Sequence, residues 1–150
     1  IKECLDWFNG ELYPMSKASR NKGQSGEREV CAILNEALGT SLNRTLDQVR
    51  DGGCDIIVGN YAIEVKRCEN LSIKAWWLQA VSQGQRLNKT PVLVYRQSRN
   101  TWKTVTPLAD DKDPLNFYIH ADMDYLIDLI EVDKYNEAQL VRKGFGNGDS

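Results

Sequence analysis

Histidine is nearly absent: His120 stands alone among 150 residues. The four cysteines, Cys4, Cys31, Cys54 and Cys68, are irregularly spaced and form no Cys-x-x-Cys pair. A Cys/His zinc site therefore has too few ligands, and thiols in a reducing compartment are expected, with Cys31 as a small core residue. No apolar run approaches the roughly 18 residues of a membrane helix and no signal peptide opens the chain, so a soluble cytoplasmic protein without a membrane partner is expected. There is no Gly-rich nucleotide loop and no Ser or Cys nucleophile signature, which counts against an ordinary metabolic α/β domain. Internal repeats are absent too.

A strong net charge is also missing. The total of −2 at first argues against a polyanionic partner. Residues 1–109, however, hold 15 Lys/Arg against 11 Asp/Glu, whereas residues 110–150 hold 4 against 10. An acidic C-terminal segment thus masks a mildly basic remainder, and the local field is what a phosphate meets.

What is present reads as a single α/β domain. Residues 1–15 form a short amphipathic lead-in closed by Pro14, followed by a polar basic arm carrying Lys17, Arg20, Lys22 and Arg28. Ser25 is a candidate N-cap for a helix whose apolar stripe is Val30, Cys31, Ile33, Leu34, Ala37 and Leu38, ended by Gly39. At about 100° per residue, Glu27 lies about 40° from the centre of that stripe and points coreward, while Glu29 lies about 120° away and points to water. Strands are predicted over Ser41–Arg50, Cys54–Gly59 and Tyr61–Lys66. A helix over Ser72–Leu87, strands over Pro91–Arg96 and Thr101–Pro107, and a closing helix over Met123–Ile130 complete the order. Trp76 and Trp77 have the helical spacing of core residues, with one of the pair a candidate for a substrate surface. Gln79 and Gln83 on the same helix are placed to reach toward the hairpin, without their spacing requiring it.

The segment DGGCDIIVGNYAIEVKR, Asp51 to Arg67, carries the chemistry. Gly59-Asn60 is a natural two-residue hairpin loop, and it sets Val58 against Tyr61, Ile57 against Ala62, Ile56 against Ile63 and Asp55 against Glu64. Alternation then puts Asp55, Glu64 and Lys66 on one face. Like charges directly opposed on a sheet repel, more so when half-buried, and a hard divalent cation is the natural compensation. A salt bridge to Lys66 on a solvated sheet face is the alternative.

These residues resemble the Asp…(Asp/Glu)-x-Lys motif of the restriction-endonuclease-like, PD-(D/E)XK nuclease superfamily, with Asp55, Glu64 and Lys66 as motif residues. The stretch KGQSGEREVCAIL is similar to the opening helix of archaeal-type and phage Holliday junction resolvases, in which the first Glu of Glu-Arg-Glu is catalytic; here that is Glu27. PVLVYRQSRNTWKTV resembles the paired strands that follow the second helix. Gly52 and Gly53 replace the usual Ser or basic residues before the motif Asp.

The resemblance implies an αβββαβ core with a central mixed sheet flanked by helices. In that reading residues 1–24 are a lead-in and arm, 25–107 the catalytic core, 108–141 an acidic helical segment and 142–150 a flexible tail. It implies a Mg²⁺-dependent endodeoxyribonuclease, with Mn²⁺ as a substitute, cutting branched DNA as a homodimer inside a bacterial, archaeal or phage-infected cell. Glu27, Asp55, Glu64 and Lys66 would be catalytic, and Glu27, Asp55, Glu64 and the Val65 carbonyl would hold the metal. Lys17, Arg20, Lys22, Arg28, Arg67 and Lys74 would contact DNA. The alternatives are a nicking, restriction or flap-processing nuclease, or an inactive DNA-binding module on the same fold.

Overall fold

The structure, a computed structural model, describes residues 5–8, 11–14, 17–43 and 55–142, with side chains described from residue 24 onward. Two short strands, β1 (Leu5–Phe8) and β2 (Glu11–Pro14), pair antiparallel. The lead-in is thus a hairpin, where an amphipathic segment was expected. Helix α1 runs from Lys17 to Leu38. The expected N-cap at Ser25 is therefore interior, and Lys17, Arg20 and Lys22 sit on helical turns, not on an arm. No proline interrupts residues 17–38, and Lys, Ala, Arg, Gln and Glu are strong enough helix formers to carry the helix back beyond its apolar stripe. It ends as expected: Gly39 adopts φ +65°, and the Gly39 N–H donates to the Asn35 carbonyl at 2.9 Å.

Strands β3 (Ile56–Val58), β4 (Tyr61–Arg67), β5 (Thr90–Arg96), β6 (Lys103–Pro107) and β7 (Tyr118–Asp122) form a sheet in that order. Only β4 and β5 run parallel, joined by helix α2 (Ile73–Leu87), so the sheet is mixed and the fold is α/β. The strand expected over Ser41–Arg50 falls, from residue 44 on, outside the described residues, as does the tail from residue 143. Strand β7 was not foreseen. Its five residues alternate exposed and half-buried side chains, so it lacks the apolar density that marks β4 and β5.

Two cores lie on the two faces. Val30, Cys31 and Leu34 of α1 pack with Val58, Ile63, Val65, Val92 and Val94, and with Met123, Leu126 and Ile130 of helix α3 (Met123–Arg142). On the other face Trp76, Trp77, Ala80 and Val81 of α2 cover Leu93, Tyr95 and Val105. Both tryptophans are buried, so neither serves as a surface residue for substrate. Beyond Ile130 the buried stripe of α3 stops, and Val132, Tyr135, Leu140 and Val141 are exposed, yet Glu, Lys, Ala and Gln continue the helix to Arg142, twelve residues past the expected end.

The hairpin register is as deduced: Ile56 pairs with Ile63, Ile57 with Ala62 and Val58 with Tyr61. Gly59 has φ +54° with open space where a Cβ would stand. Positive φ at the first loop position alone is the type II′ pattern, which matches strand twist and favours glycine there. Gly59→Ala is accordingly expected to cost about 1 kcal/mol through backbone strain alone, read as a lower urea midpoint with an unchanged m-value. An unchanged midpoint would show that the turn does not need the left-handed conformation.

Candidate active site

The turn carries the strands into register, and the register carries the charges together. The paired register ends at Ile56 and Ile63. One residue before it the Asp55 N–H donates to the same Ile63 carbonyl at 3.0 Å, so that Asp55 is held at the strand end beside Glu64 and not on a further ladder rung. Asp55 then reaches across the hairpin: its Oδ2 accepts the Val65 N–H at 2.8 Å. Asp55 is 8% exposed and Glu64 5%. Two acid side chains are thus lodged under a sheet face with little access to water.

Glu64 has partners for one oxygen. Its Oε1 lies 3.5 Å from the Lys66 Nζ and accepts from the Gln79 amide at 3.3 Å. Gln83, itself buried, also hydrogen-bonds to Glu64. Among the described residues the buried Oε2 has no hydrogen-bond partner. An orphaned buried carboxylate oxygen is rare in folded proteins and calls for a ligand or a proton.

Electrostatics point the same way. Burial pushes the Asp55 carboxyl well above the usual carboxylate range, helped by the charges of Glu64 and then Glu27, against the lowering effect of the Val65 N–H and Lys66. Burial likewise raises Glu64; Lys66 and Gln83 oppose this, and Glu27 adds to it. Glu27 is half-exposed on α1 and its charge acts on both carboxylates, as its coreward helical phase requires. Among the described residues, however, no three His, Cys, Asp or Glu side chains close on one point in the manner of a complete metal cage. The donor set fits a hard cation that keeps several of its own waters, because two carboxylates, one with an unpaired oxygen, leave most positions open.

The remaining predicted residues are dispersed. Arg28 and Lys74 are exposed. Arg67, half-buried at the end of β4, places Nη1 3.4 Å from the Ser25 hydroxyl, and its Nε has no partner among the described residues. Lys17, Arg20 and Lys22 lie on the first turns of α1, with side chains outside the described set. Glu29, expected to point to water, keeps its side chain 36% exposed but is not left to water alone. It accepts from Arg96 and from the Trp102 indole N–H, because the sheet extends beneath the far flank of α1 and both residues rise there. Gln79 and Gln83, one turn apart on the edge of the buried stripe of α2, do reach Glu64; their spacing was legible, but their target needed the β4–β5 crossover.

A family model described as "phage putative PDDEXK endonuclease" matches residues 18–142. Protein D14 of Escherichia phage T5 is 26% identical over 125 residues, covering 67% of this chain and 76% of that protein. The solved structure of Hjc, a Holliday junction resolvase from Archaeoglobus fulgidus, aligns over 69% of this chain and 97% of its own, at 21% identity and a TM-score of 0.47. Among the described residues no helix is long and apolar enough to cross a membrane.

Because both buried carboxyls titrate above their unfolded values, the folded state holds protons more tightly than the unfolded chain. Their contribution is fully present below the ordinary carboxylate range of about 4 and is lost as pH rises through the folded values. In EDTA the melting temperature is expected to fall across that window. Glu64→Gln and Asp55→Asn should flatten the fall and melt higher than the parent at pH 7. Parent and variants melting alike at every pH would show that Lys66 already neutralises the pair.

Proposed function

This chain belongs to the phage PDDEXK endonuclease family, and we propose that it is a Mg²⁺-dependent DNA endonuclease of the structure-selective, Holliday-junction-resolving kind, acting as a homodimer. One observation carries the nuclease chemistry: two buried carboxylates brought together at the end of the β3–β4 hairpin, one with an oxygen that has no partner among the described residues, beside a lysine two residues further along the same strand face. The junction preference is supported by the similarity of the Lys22–Leu34 segment to the opening helix of resolvases. Symmetric cutting of two strands calls for a twofold dimer.

Asp55, Glu64 and the Val65 carbonyl are the residues that would hold the cation, with Glu27 joining directly or through water. When bound, such an ion lowers the pKa of a water and offsets charge on the scissile phosphate. Lys66, fixed by Glu64 Oε1, presents its ammonium where an attacking water is oriented and where negative charge grows on the phosphate. Gln79 and Gln83 hold the Glu64 carboxylate in one rotamer, and Val65 N–H does the same for Asp55. Arg28, Arg67 and Lys74, with Lys17, Arg20 and Lys22, supply backbone phosphate contacts, which give affinity without sequence preference.

Lys66→Ala and Asp55→Asn are each expected to lower Mg²⁺-dependent cleavage by about 10²–10³-fold or more, with circular dichroism unchanged. A four-way junction, a flap, a linear duplex and a single strand should be compared with the same preparation. Preferential cutting of the junction supports the resolvase reading, and equal cutting of plain duplex contradicts it. Full cleavage by either variant contradicts the assigned site.

A further inference from the structure

Helix α1 delivers Glu27 to the carboxylate pair, yet Glu27 sits on one flank of that helix, and something must stop the helix from rolling. At about 100° per residue, Glu27 and Glu29 are about 160° apart the short way round, and Gly26 lies inside that arc, on the side facing the sheet. The structure makes Gly26 a point of close approach: a Cβ there would stand 3.2 Å from the Arg67 Cβ and 3.3 Å from the Trp102 ring. With Gly26 as the fulcrum, the two glutamates are the ends of a lever.

The Glu29 end is pinned. Its Oε2 lies 3.1 Å from Arg96 Nη1 and also accepts the Trp102 Nε1–H, while Oε1 accepts Arg96 Nη2 at 3.4 Å. The Arg96 guanidinium in turn lies over the Trp102 ring, 5.0 Å from its centroid. Arg96 at the end of β5 and Trp102 leading into β6 are two and three strands removed from β3, which Asp55 precedes. The Arg96 side chain is 19% exposed and the Glu29 side chain 36%, so water reaches the Glu29 end of these bonds and the geometry is held by having several partners at once.

We propose that Glu29, held by Arg96 and Trp102, is a positioning residue that fixes the roll of α1 and thereby the placement of Glu27 against Asp55 and Glu64. This rests on the nuclease reading given above. The lever arm sets the scale. Side-chain tips ride about 6 Å from a helix axis, so a roll of about 20° moves the Glu27 carboxylate by about 2 Å. Misplacement of about 1 Å in a reacting assembly can cost on the order of 100-fold in rate. Glu29 touches neither substrate nor cation in this scheme; it acts through Glu27 alone.

That dependence is what a double-mutant comparison reads. Trp102→Phe, which keeps an aromatic ring but loses the indole N–H, and the isosteric Glu29→Gln, paired so that a folding defect in one leaves the other, are made in the parent and in a Glu27→Ala background. Junction cleavage in Mg²⁺ is measured in all of them, and the Mn²⁺ dissociation constant is measured by electron paramagnetic resonance. In the parent background each variant is expected to lose about tenfold in kcat with KM for DNA within about twofold, and to bind Mn²⁺ more weakly. In the Glu27→Ala background the same substitutions should change both quantities less than about twofold. Equal losses in the two backgrounds, or no loss in the parent background, would overturn the positioning role while leaving the nuclease reading intact. A parent protein that neither cuts DNA nor binds Mn²⁺ would overturn both.

Discussion

Asp55 and Glu64 are held close together at the end of a hairpin, buried and repelling one another, and much of the rest of the molecule bears on that juxtaposition. Neither acid can be relocated cheaply. Moving the β3–β4 pairing by one residue would expose Ile56, Ile63 and Val65 and bury polar neighbours, so the apolar face of the hairpin holds the acidic face in place. The repulsion is therefore a by-product of correct folding, and the free energy it costs is available to whatever cation or proton relieves it.

Three elements converge on the pair from different directions. The β3–β4 turn supplies the register, α2 supplies the glutamines that orient Glu64, and α1 supplies Glu27 from the opposite face of the sheet. The parallel β4–β5 pairing links them, since it requires α2 as a crossover and brings Arg96 alongside Arg67. Glu29, Arg96 and Trp102 tie α1 to the far strands. The acidic C-terminal segment is a separate matter: β7 completes the sheet and the first turns of α3 cover it, while the outer half of α3 projects into solvent.

The hairpin was legible from sequence because a two-residue turn and a period of two leave one register in which Ile56, Val58, Tyr61, Ile63 and Val65 share one face and the three charges the other. Glu27 was legible for a similar reason, since helical phase is local. Glu29 was misread by the same phase argument. It assumes that a residue far from the apolar stripe meets water, whereas the sheet is wide enough to place Arg96 and Trp102 beneath that flank. The start of α1 and the end of α3 were misplaced because burial was the guide, and both helices run on by propensity after burial has stopped. Strand β7 escaped notice because an edge strand with one open face needs few apolar residues to be stable in place.

The central claim is that burial makes the Asp55 and Glu64 carboxyls bind protons more tightly than ordinary carboxylates, so that a cation competes with protons for them. Calorimetric titration of the intact protein with Mn²⁺ near pH 6, in two buffers of different ionisation enthalpy, reads that exchange directly, because metal binding to protonated ligands releases protons. The expected result is a binding heat that differs between buffers by an amount corresponding to net proton release, shrinking as pH is raised. Heats identical in both buffers, or no binding heat at all, would contradict the account.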